Sequence, residues 1–135
     1  MRRGSSKTTP SLKPAPFVTK SPAATAGSKS ASRAAYAGWL AERIGRDSDV
    51  TFVSLPSGKA MHLVPALLEQ GCKVIDVAAD FRLHDAALYP TWYKFTHVAP
   101  DYLAEAVYGL PELHREAITQ TRLLANPGCY PVASL

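Results

Sequence analysis

The sequence predicts an α/β protein with a parallel sheet, and three observations lead to that prediction. Two apolar runs rich in β-branched residues, over 50–55 and 73–78, are typical of buried strands. A helical pattern over 59–70 separates them, so the three segments form a βαβ unit. A further strand over 122–125 ends at a turn dense in Asn, Pro and Gly. Because βαβ units place their strands in parallel, we expect a parallel sheet that is covered on both faces.

The segment between the first two strands carries its own start and stop signals. Met61, Val64 and Leu68 recur on one helical face, and Gly71 follows as a C-terminal cap. Pro65 lacks a backbone N–H and is best accommodated in a first helical turn. We therefore expect a kink at Pro65, or a helix that restarts there.

A shorter helix is predicted upstream, over 34–46. Tyr36, Leu40 and Ile44 are spaced four residues apart on one face, and Gly45 allows the chain to leave the helix. We interpret this segment as a packing helix or linker.

The charge of the 135-residue chain is concentrated at one end. Seven of the 15 basic residues precede residue 42, whereas all 11 acidic residues follow residue 41. Residues 1–33 are rich in Ser, Thr, Ala, Pro and Lys and show no apolar periodicity. Such a segment buries too little surface to offset its ordering entropy, so we expect a disordered basic tail.

Several interpretations of this tail remain open. Its basic, acid-poor composition suits an organelle transit peptide, although an amphipathic stretch is weak. Its dispersed charges fit a nucleic-acid-binding arm poorly, because such arms cluster Lys and Arg. The segment is otherwise an inert tail, or the product of a truncated or misread gene that is foreign to the domain.

The remaining composition argues against several classes of protein. The two cysteines, Cys72 and Cys129, stand far apart, and no C-x-x-C, H-E-x-x-H or paired histidine spacing occurs, so we expect no metal site. No apolar run approaches the ~20 residues of a membrane span. We expect a soluble protein from a reducing compartment, without nucleic-acid or membrane partners.

Cys129 is the residue around which we organise the functional interpretation. It follows the strand over 122–125 and the turn Asn126-Pro127-Gly128. If a helix begins there, its free N–H groups and dipole favour a thiolate over a thiol. The alternative is that Cys129 is a small buried apolar residue, as most lone cysteines are.

The segment after the second strand carries two charges, Asp80 and Arg82. Ligands of open α/β sheets bind at the carboxyl ends of strands, where these residues are expected. The simpler interpretation, which we favour, is a local ion pair that ties the loop to the strand end. The aromatic stretch over 89–95 is predicted to be an irregular loop, and a short helix is expected to end near residue 121.

Four motifs follow one another along the chain. They are Leu55-Pro56-Ser57-Gly58, Val74-Ile75-Asp76 with Ala79-Asp80-Phe81-Arg82, Tyr108-Gly109-Leu110-Pro111-Glu112-Leu113, and Ala125-Asn126-Pro127-Gly128-Cys129-Tyr130-Pro131. In this order and spacing, they resemble the N-acetyl-gamma-glutamyl-phosphate reductases, the NADP-dependent enzymes of arginine biosynthesis. The resemblance covers about two-thirds of the chain, from residue 49 to residue 135.

The resemblance implies roles for individual residues. Cys129 takes the position of the catalytic nucleophile, and Asn126 and Arg82 are assigned to substrate binding. Leu55, Pro56, Ser57 and Gly58 lie where the family passes close to the NADP cofactor, although Ser57 stands where the family more often has His. The implied reaction is reduction of N-acetyl-glutamyl 5-phosphate to N-acetyl-glutamate 5-semialdehyde through a thioester on Cys129.

The same resemblance implies a partial Rossmann-like domain over 49–135, after a 1–33 tail and a 34–48 helix or linker. A first strand with a Gly-rich turn and a C-terminal domain with the catalytic histidine and the dimer interface are expected to be missing. The family is expected to form a homo-oligomer and to be cytoplasmic, or plastid or mitochondrial if the tail is a transit peptide. The truncated chain is expected to be unstable and inactive.

Two alternatives stay open. A related cysteine-dependent enzyme, such as aspartate semialdehyde dehydrogenase, shares the thioester chemistry but not the motifs around Asp80 and Tyr108. The other alternative is that the chain is a non-enzymatic fragment or a pseudogene product. In that case we expect neither affinity for NADP nor an unusually reactive Cys129.

Overall fold

The computed structural model describes residues 29–135. The predicted tail over 1–33 therefore lies mostly outside the described residues. Helix α1 spans Lys29–Asp47 and so begins earlier than the predicted 34–46. Gly45 lies inside this helix, so the prediction that the chain exits there is wrong. A Cβ on Gly45 would come within 2.5 Å of Gln70 Cβ, so the glycine allows α1 to lie close to the end of the next helix.

Four parallel strands form one sheet, in the spatial order β1-β2-β4-β3. The parallel sheet and three of its strands confirm the sequence prediction. The two-residue β3 was missed, because the sequence around it indicated only a turn. The strands are β1 Val50–Val53, β2 Lys73–Asp76, β3 Val107–Tyr108 and β4 Leu123–Ala125.

Short helices connect the strands. The predicted restart at Pro65 is confirmed, because Pro65 lies in the first turn of α2 after a separate 3-10 turn over Ala60–His62. Gly71 ends this connection with a φ of 85°, a left-handed conformation that favours glycine. None of the helices in residues 29–135 is long and apolar enough to cross a membrane. The remaining helices are α2 Val64–Glu69, α3 Tyr89–Trp92, α4 Pro111–Gln120 and α5 Cys129–Ser134.

The two faces of the sheet differ in burial. Val53, Val74 and Leu123 point to one face and are buried in the core with residues of α1 and α2. Phe52 points to the other face and is 70% exposed. The expectation that both faces are covered is therefore wrong at Phe52, whereas Ile75 and Leu124 on the same face are half-buried.

The long connection from β2 to β3 has its own aromatic core, which corrects the prediction of an irregular loop over 89–95. Tyr89 is fully buried, and its ring centroid lies 4.8 to 5.6 Å from those of Tyr93, Phe95 and His97. Its hydroxyl donates to the Leu83 carbonyl and accepts from the Leu83 N–H, both at 3.1 Å. The connection is thus folded around one side chain.

Candidate active site

The carboxyl ends of the parallel strands meet at one edge of the sheet and lead into three segments. We call them the β1 turn (residues 55–58), the β2 loop (residues 77–82) and the cysteine turn (residues 126–129). Because β2 lies between β1 and β4, the β1 turn and the cysteine turn are separated by about 10 Å, two strand spacings. Open α/β sheets bind their ligands at this edge.

Cys129 is the first residue of α5, as the sequence predicted for a helix after the turn. Its side chain is exposed, which excludes the alternative that it is a buried apolar residue. The cysteine turn continues the sheet, since Asn126 N–H donates to the Asp76 carbonyl at 2.8 Å. The Asn126 side chain donates to the Pro127 carbonyl at 3.1 Å. The thiol therefore stands on an ordered turn at the ligand-binding edge.

Arg82 connects the β2 loop to the cysteine turn. Its Nε donates to the Asn126 carbonyl at 2.8 Å, and its Nη2 donates to the Val77 carbonyl at 3.1 Å. A Cβ on Gly128 would lie 3.4 Å from Arg82 Nη1, so the guanidinium lies directly beside the turn. The structure thus brings the two residues assigned to the substrate, Asn126 and Arg82, together next to Cys129.

Asp80 connects the same loop to the β1 turn. Both carboxylate oxygens accept backbone N–H groups, Oδ1 from Gly58 at 2.7 Å and Oδ2 from Met61 at 3.0 Å. Among the described residues, the salt bridges do not include Asp80 or Arg82. The predicted ion pair between these two residues is therefore wrong, because each side chain bonds to backbone groups of a different strand connection.

The β1 turn offers an exposed surface at the sheet edge. Leu55, Pro56 and Ser57 are exposed, whereas Gly58 is buried with a φ of 80°. A Cβ on Gly58 would lie 3.2 Å from the Phe95 ring, so glycine is required both by the backbone and by this contact. The turn therefore presents three exposed residues at the carboxyl ends of the strands.

Asp76 is a site feature that sequence reasoning noted only as part of a motif. It is fully buried at the end of β2; Oδ1 accepts from Ala78 N–H at 3.1 Å, and Oδ2 has no hydrogen-bond partner among residues 29–135. Burial raises the pKa of Asp76 from 3.8 to about 6. The signal in the sequence that could have singled out Asp76 was a carboxylate within an otherwise apolar strand pattern.

This raised pKa predicts a pH dependence of folding stability. Between its ordinary and its folded-state pKa, Asp76 binds a proton in the folded state and not in the unfolded state. Stability therefore falls as pH rises through this window and is constant above it. From about pH 4 to about pH 6.5, wild type should lose about 2 kcal/mol of unfolding free energy relative to Asp76→Asn. Urea denaturation at several pH values measures this difference. If the unfolding free energies of the two proteins change with pH in parallel, the raised pKa of Asp76 is contradicted.

Two histidines near the site are engaged with backbone groups. His97 Nε2 donates to the Asp80 carbonyl at 2.8 Å, and its Nδ1 accepts from Ala99 N–H at 3.2 Å. Burial lowers the pKa of His97, which agrees with the neutral ring that these two bonds define. His84 Nδ1 bonds the Leu103 carbonyl at 2.9 Å. Neither histidine ring is bonded to the cysteine turn.

The fold and the site define the class of protein. A parallel sheet that carries an exposed cysteine and an exposed turn at its carboxyl edge suits a nicotinamide-dependent oxidoreductase domain. Residues 17–121 match the family described as "Semialdehyde dehydrogenase, NAD binding domain". The chain belongs to this family, and the expected Rossmann-like fold is confirmed.

Individual curated proteins of known name show a more specific similarity than the family does. Over 96 residues, 71% of this chain, it is 54% identical to an N-acetyl-gamma-glutamyl-phosphate reductase of Dehalococcoides mccartyi. Proteins of the same name from Halorhodospira halophila and Methanopyrus kandleri are 56% and 55% identical over 68% of this chain. The matched segment spans 26 to 28% of the length of these three relatives.

Proposed function

We propose that this chain takes part in the NADPH-dependent reduction of N-acetyl-glutamyl 5-phosphate to N-acetyl-glutamate 5-semialdehyde, a step of arginine biosynthesis. The observation that carries the proposal is the exposed Cys129 thiol at the first residue of α5, beside Asn126 and Arg82. Relatives that are 54 to 56% identical bear the name of this reductase.

In the proposed reaction, the Cys129 thiolate attacks the acyl carbon of the substrate and displaces inorganic phosphate, which leaves a thioester. The first N–H groups of a helix have no acceptor within the helix, so those of α5 are available to the oxyanion that develops. When bound, NADPH supplies the hydride that reduces the acyl group to the semialdehyde. Cys129 is regenerated as the product leaves.

The other residues divide between cofactor and substrate. Leu55, Pro56 and Ser57 form the exposed surface that we assign to the nicotinamide, and the buried Gly58 shapes the turn that presents them. Asn126 and Arg82 are assigned to the acyl phosphate, with Arg82 Nη1 as the donor that faces the cysteine turn. Because His84 and His97 are bonded to backbone groups elsewhere, neither is proposed as the catalytic base.

We further infer a cytoplasmic homo-oligomer, as the resemblance to the reductases implies. A plastid or mitochondrial location is the alternative if residues 1–33 act as a transit peptide. Size-exclusion chromatography with light scattering tests the first inference, and a reporter fused to residues 1–33 tests the second.

The function is tested with the purified 135-residue chain. The proposed function predicts NADPH consumption with N-acetyl-glutamyl phosphate, with one phosphate released for each NADPH oxidised, whereas the truncation that the resemblance implies predicts a chain that is inactive on its own. Aspartyl phosphate serves as the control substrate. Preference for aspartyl phosphate would indicate an aspartate semialdehyde dehydrogenase instead. A folded chain that neither binds NADPH nor releases phosphate would support the non-enzymatic alternative.

A further inference from the structure

The β2 loop contacts both turns of the site through two side chains only two residues apart. The Asp80 carboxylate accepts hydrogen bonds from the N–H groups of Gly58 and Met61, and Arg82 donates a hydrogen bond to the Asn126 carbonyl. The sequence separations are large: 22 residues from Asp80 to Gly58 and 44 from Arg82 to Asn126. The loop is thus a short bridge between segments that are distant in the chain.

Asp80 is suited to hold the β1 turn. The side chain is fully buried, and each oxygen has its own N–H partner. Hydrogen bonds to a carboxylate are stronger than those between neutral groups. The carbonyl of Asp80 also accepts from His97 Nε2, whose ring packs against Phe81 and Tyr89. The aromatic core therefore holds the backbone from which the Asp80 side chain extends.

Arg82 is suited to hold the cysteine turn. Its planar guanidinium donates at the same time to Asn126 and Val77 carbonyls, a fork that a lysine ammonium does not reproduce. The Val77 carbonyl belongs to the β2 loop itself, so the bond braces the arginine against its own segment. The Asn126 carbonyl, three residues before Cys129, is thereby fixed relative to the end of β2.

We propose that the β2 loop is a tie that sets the relative position of the β1 turn and the cysteine turn, with Asp80 and Arg82 as its two positioning residues. This inference rests on the proposed function, because it assigns the cofactor to one turn and the nucleophile to the other. Hydride transfer depends on the distance between these two partners, so small displacements of either turn slow the reaction.

The tie is tested with Asp80→Asn and Arg82→Lys in the full chain. Asn keeps one acceptor but presents N–H groups to the second donor, so Asp80→Asn should raise the KM for NADPH about 10-fold and leave kcat within about twofold. Arg82→Lys should lower kcat about 10-fold and leave that KM within about twofold. Asp85→Asn is the control, since it also neutralises a carboxylate that accepts a backbone N–H, that of Ala87 at 2.8 Å, but lies outside the three segments of the site, and it should change neither constant.

Amide hydrogen exchange tests the tie independently of the reaction. Asp80→Asn should accelerate exchange at Gly58 and Met61 about 10-fold and leave exchange at Asn126 unchanged. Arg82→Lys should accelerate exchange at Asn126 about 10-fold and leave exchange at Gly58 and Met61 unchanged. Equal acceleration in both turns by both variants would show general loosening and overturn the tie, as would no acceleration in either. If wild type lacks affinity for NADPH while the exchange pattern is as expected, the proposed function fails and the positioning contacts stand.

Discussion

A Cys129→Ser variant should lose at least about 10³-fold in reductase activity and keep the fold and the NADPH affinity of wild type. The loss follows from removal of the nucleophile, since a serine hydroxyl without an adjacent base attacks an acyl phosphate far more slowly than a thiolate. The fold should be unchanged because Cys129 is exposed and serine differs from it by one atom. NADPH oxidation, thermal unfolding and cofactor titration measure the three quantities.

Cys72 provides the matched control. It is buried, its Sγ donates to the Ser48 carbonyl at 3.2 Å, and burial raises the pKa of its thiol, so it is a poor nucleophile. Cys72→Ala should therefore retain activity and lose about 1 kcal/mol of stability. Wild-type activity in Cys129→Ser would show that the thioester mechanism is wrong. An equal loss of activity in Cys129→Ser and Cys72→Ala would show that the loss results from impaired folding.

A Tyr89→Ala variant should lose about 3 to 5 kcal/mol of unfolding free energy, the largest stability effect that we predict. Tyr89 is fully buried and is the largest such side chain among the described residues. Its removal leaves a cavity between Tyr93, Phe95 and His97 and deprives the Leu83 N–H and carbonyl of their partner. Urea denaturation, with the slope checked for a change in the unfolded state, measures the loss.

Tyr89→Phe separates the two contributions, because it keeps the ring and removes only the hydroxyl. It should cost about 1 to 3 kcal/mol, the penalty of leaving buried backbone groups without a hydrogen bond. Burial raises the pKa of Tyr89 to about 12, so the hydroxyl stays protonated and donates throughout the working pH range. If Tyr89→Ala costs no more than Tyr89→Phe, the ring is not the core of this connection.

Loss of the Tyr89 side chain is also expected to disturb the candidate active site. Phe95, which packs on Tyr89, is the side chain that contacts the β1 turn at Gly58. His97, which also packs on Tyr89, bonds the carbonyl of Asp80. The aromatic connection therefore supports the turn assigned to the cofactor from two directions.

The elements that the sequence predicted correctly are those with a local signal. Strands β1, β2 and β4 are apolar and β-branched over several residues, and α2 is marked by Pro65 at its start and Gly71 after its end. The helix at Cys129 was considered only as a condition for an activated thiol, and the structure has a helix that begins at this residue. Strand β3 escaped prediction because two residues carry no periodicity, and Val107 and Tyr108 are a strand only through pairing with β4.

The role of the aromatic stretch was missed for a related reason. Aromatic residues without a regular period indicate neither helix nor strand, so residues 89–95 were interpreted as an irregular loop. Tyr89 becomes a core residue because Tyr93, Phe95 and His97 fold back onto it, with the hydroxyl capping the backbone at Leu83. Burial of this kind depends on where the chain returns, which local composition does not specify.

By itself, the sequence determined the α/β class, the parallel order of the first two strands and the placement of a cysteine on a turn before a helix, because short-range steric preferences and apolar periodicity encode each of these. Only the tertiary structure decided what Asp80 and Arg82 do. Opposite charges two residues apart suggested an ion pair, yet in the fold each side chain reaches backbone groups 22 or 44 residues away. Buried backbone donors and acceptors must be paired, and the folded chain brings those groups closer to each side chain than the side chains are to each other.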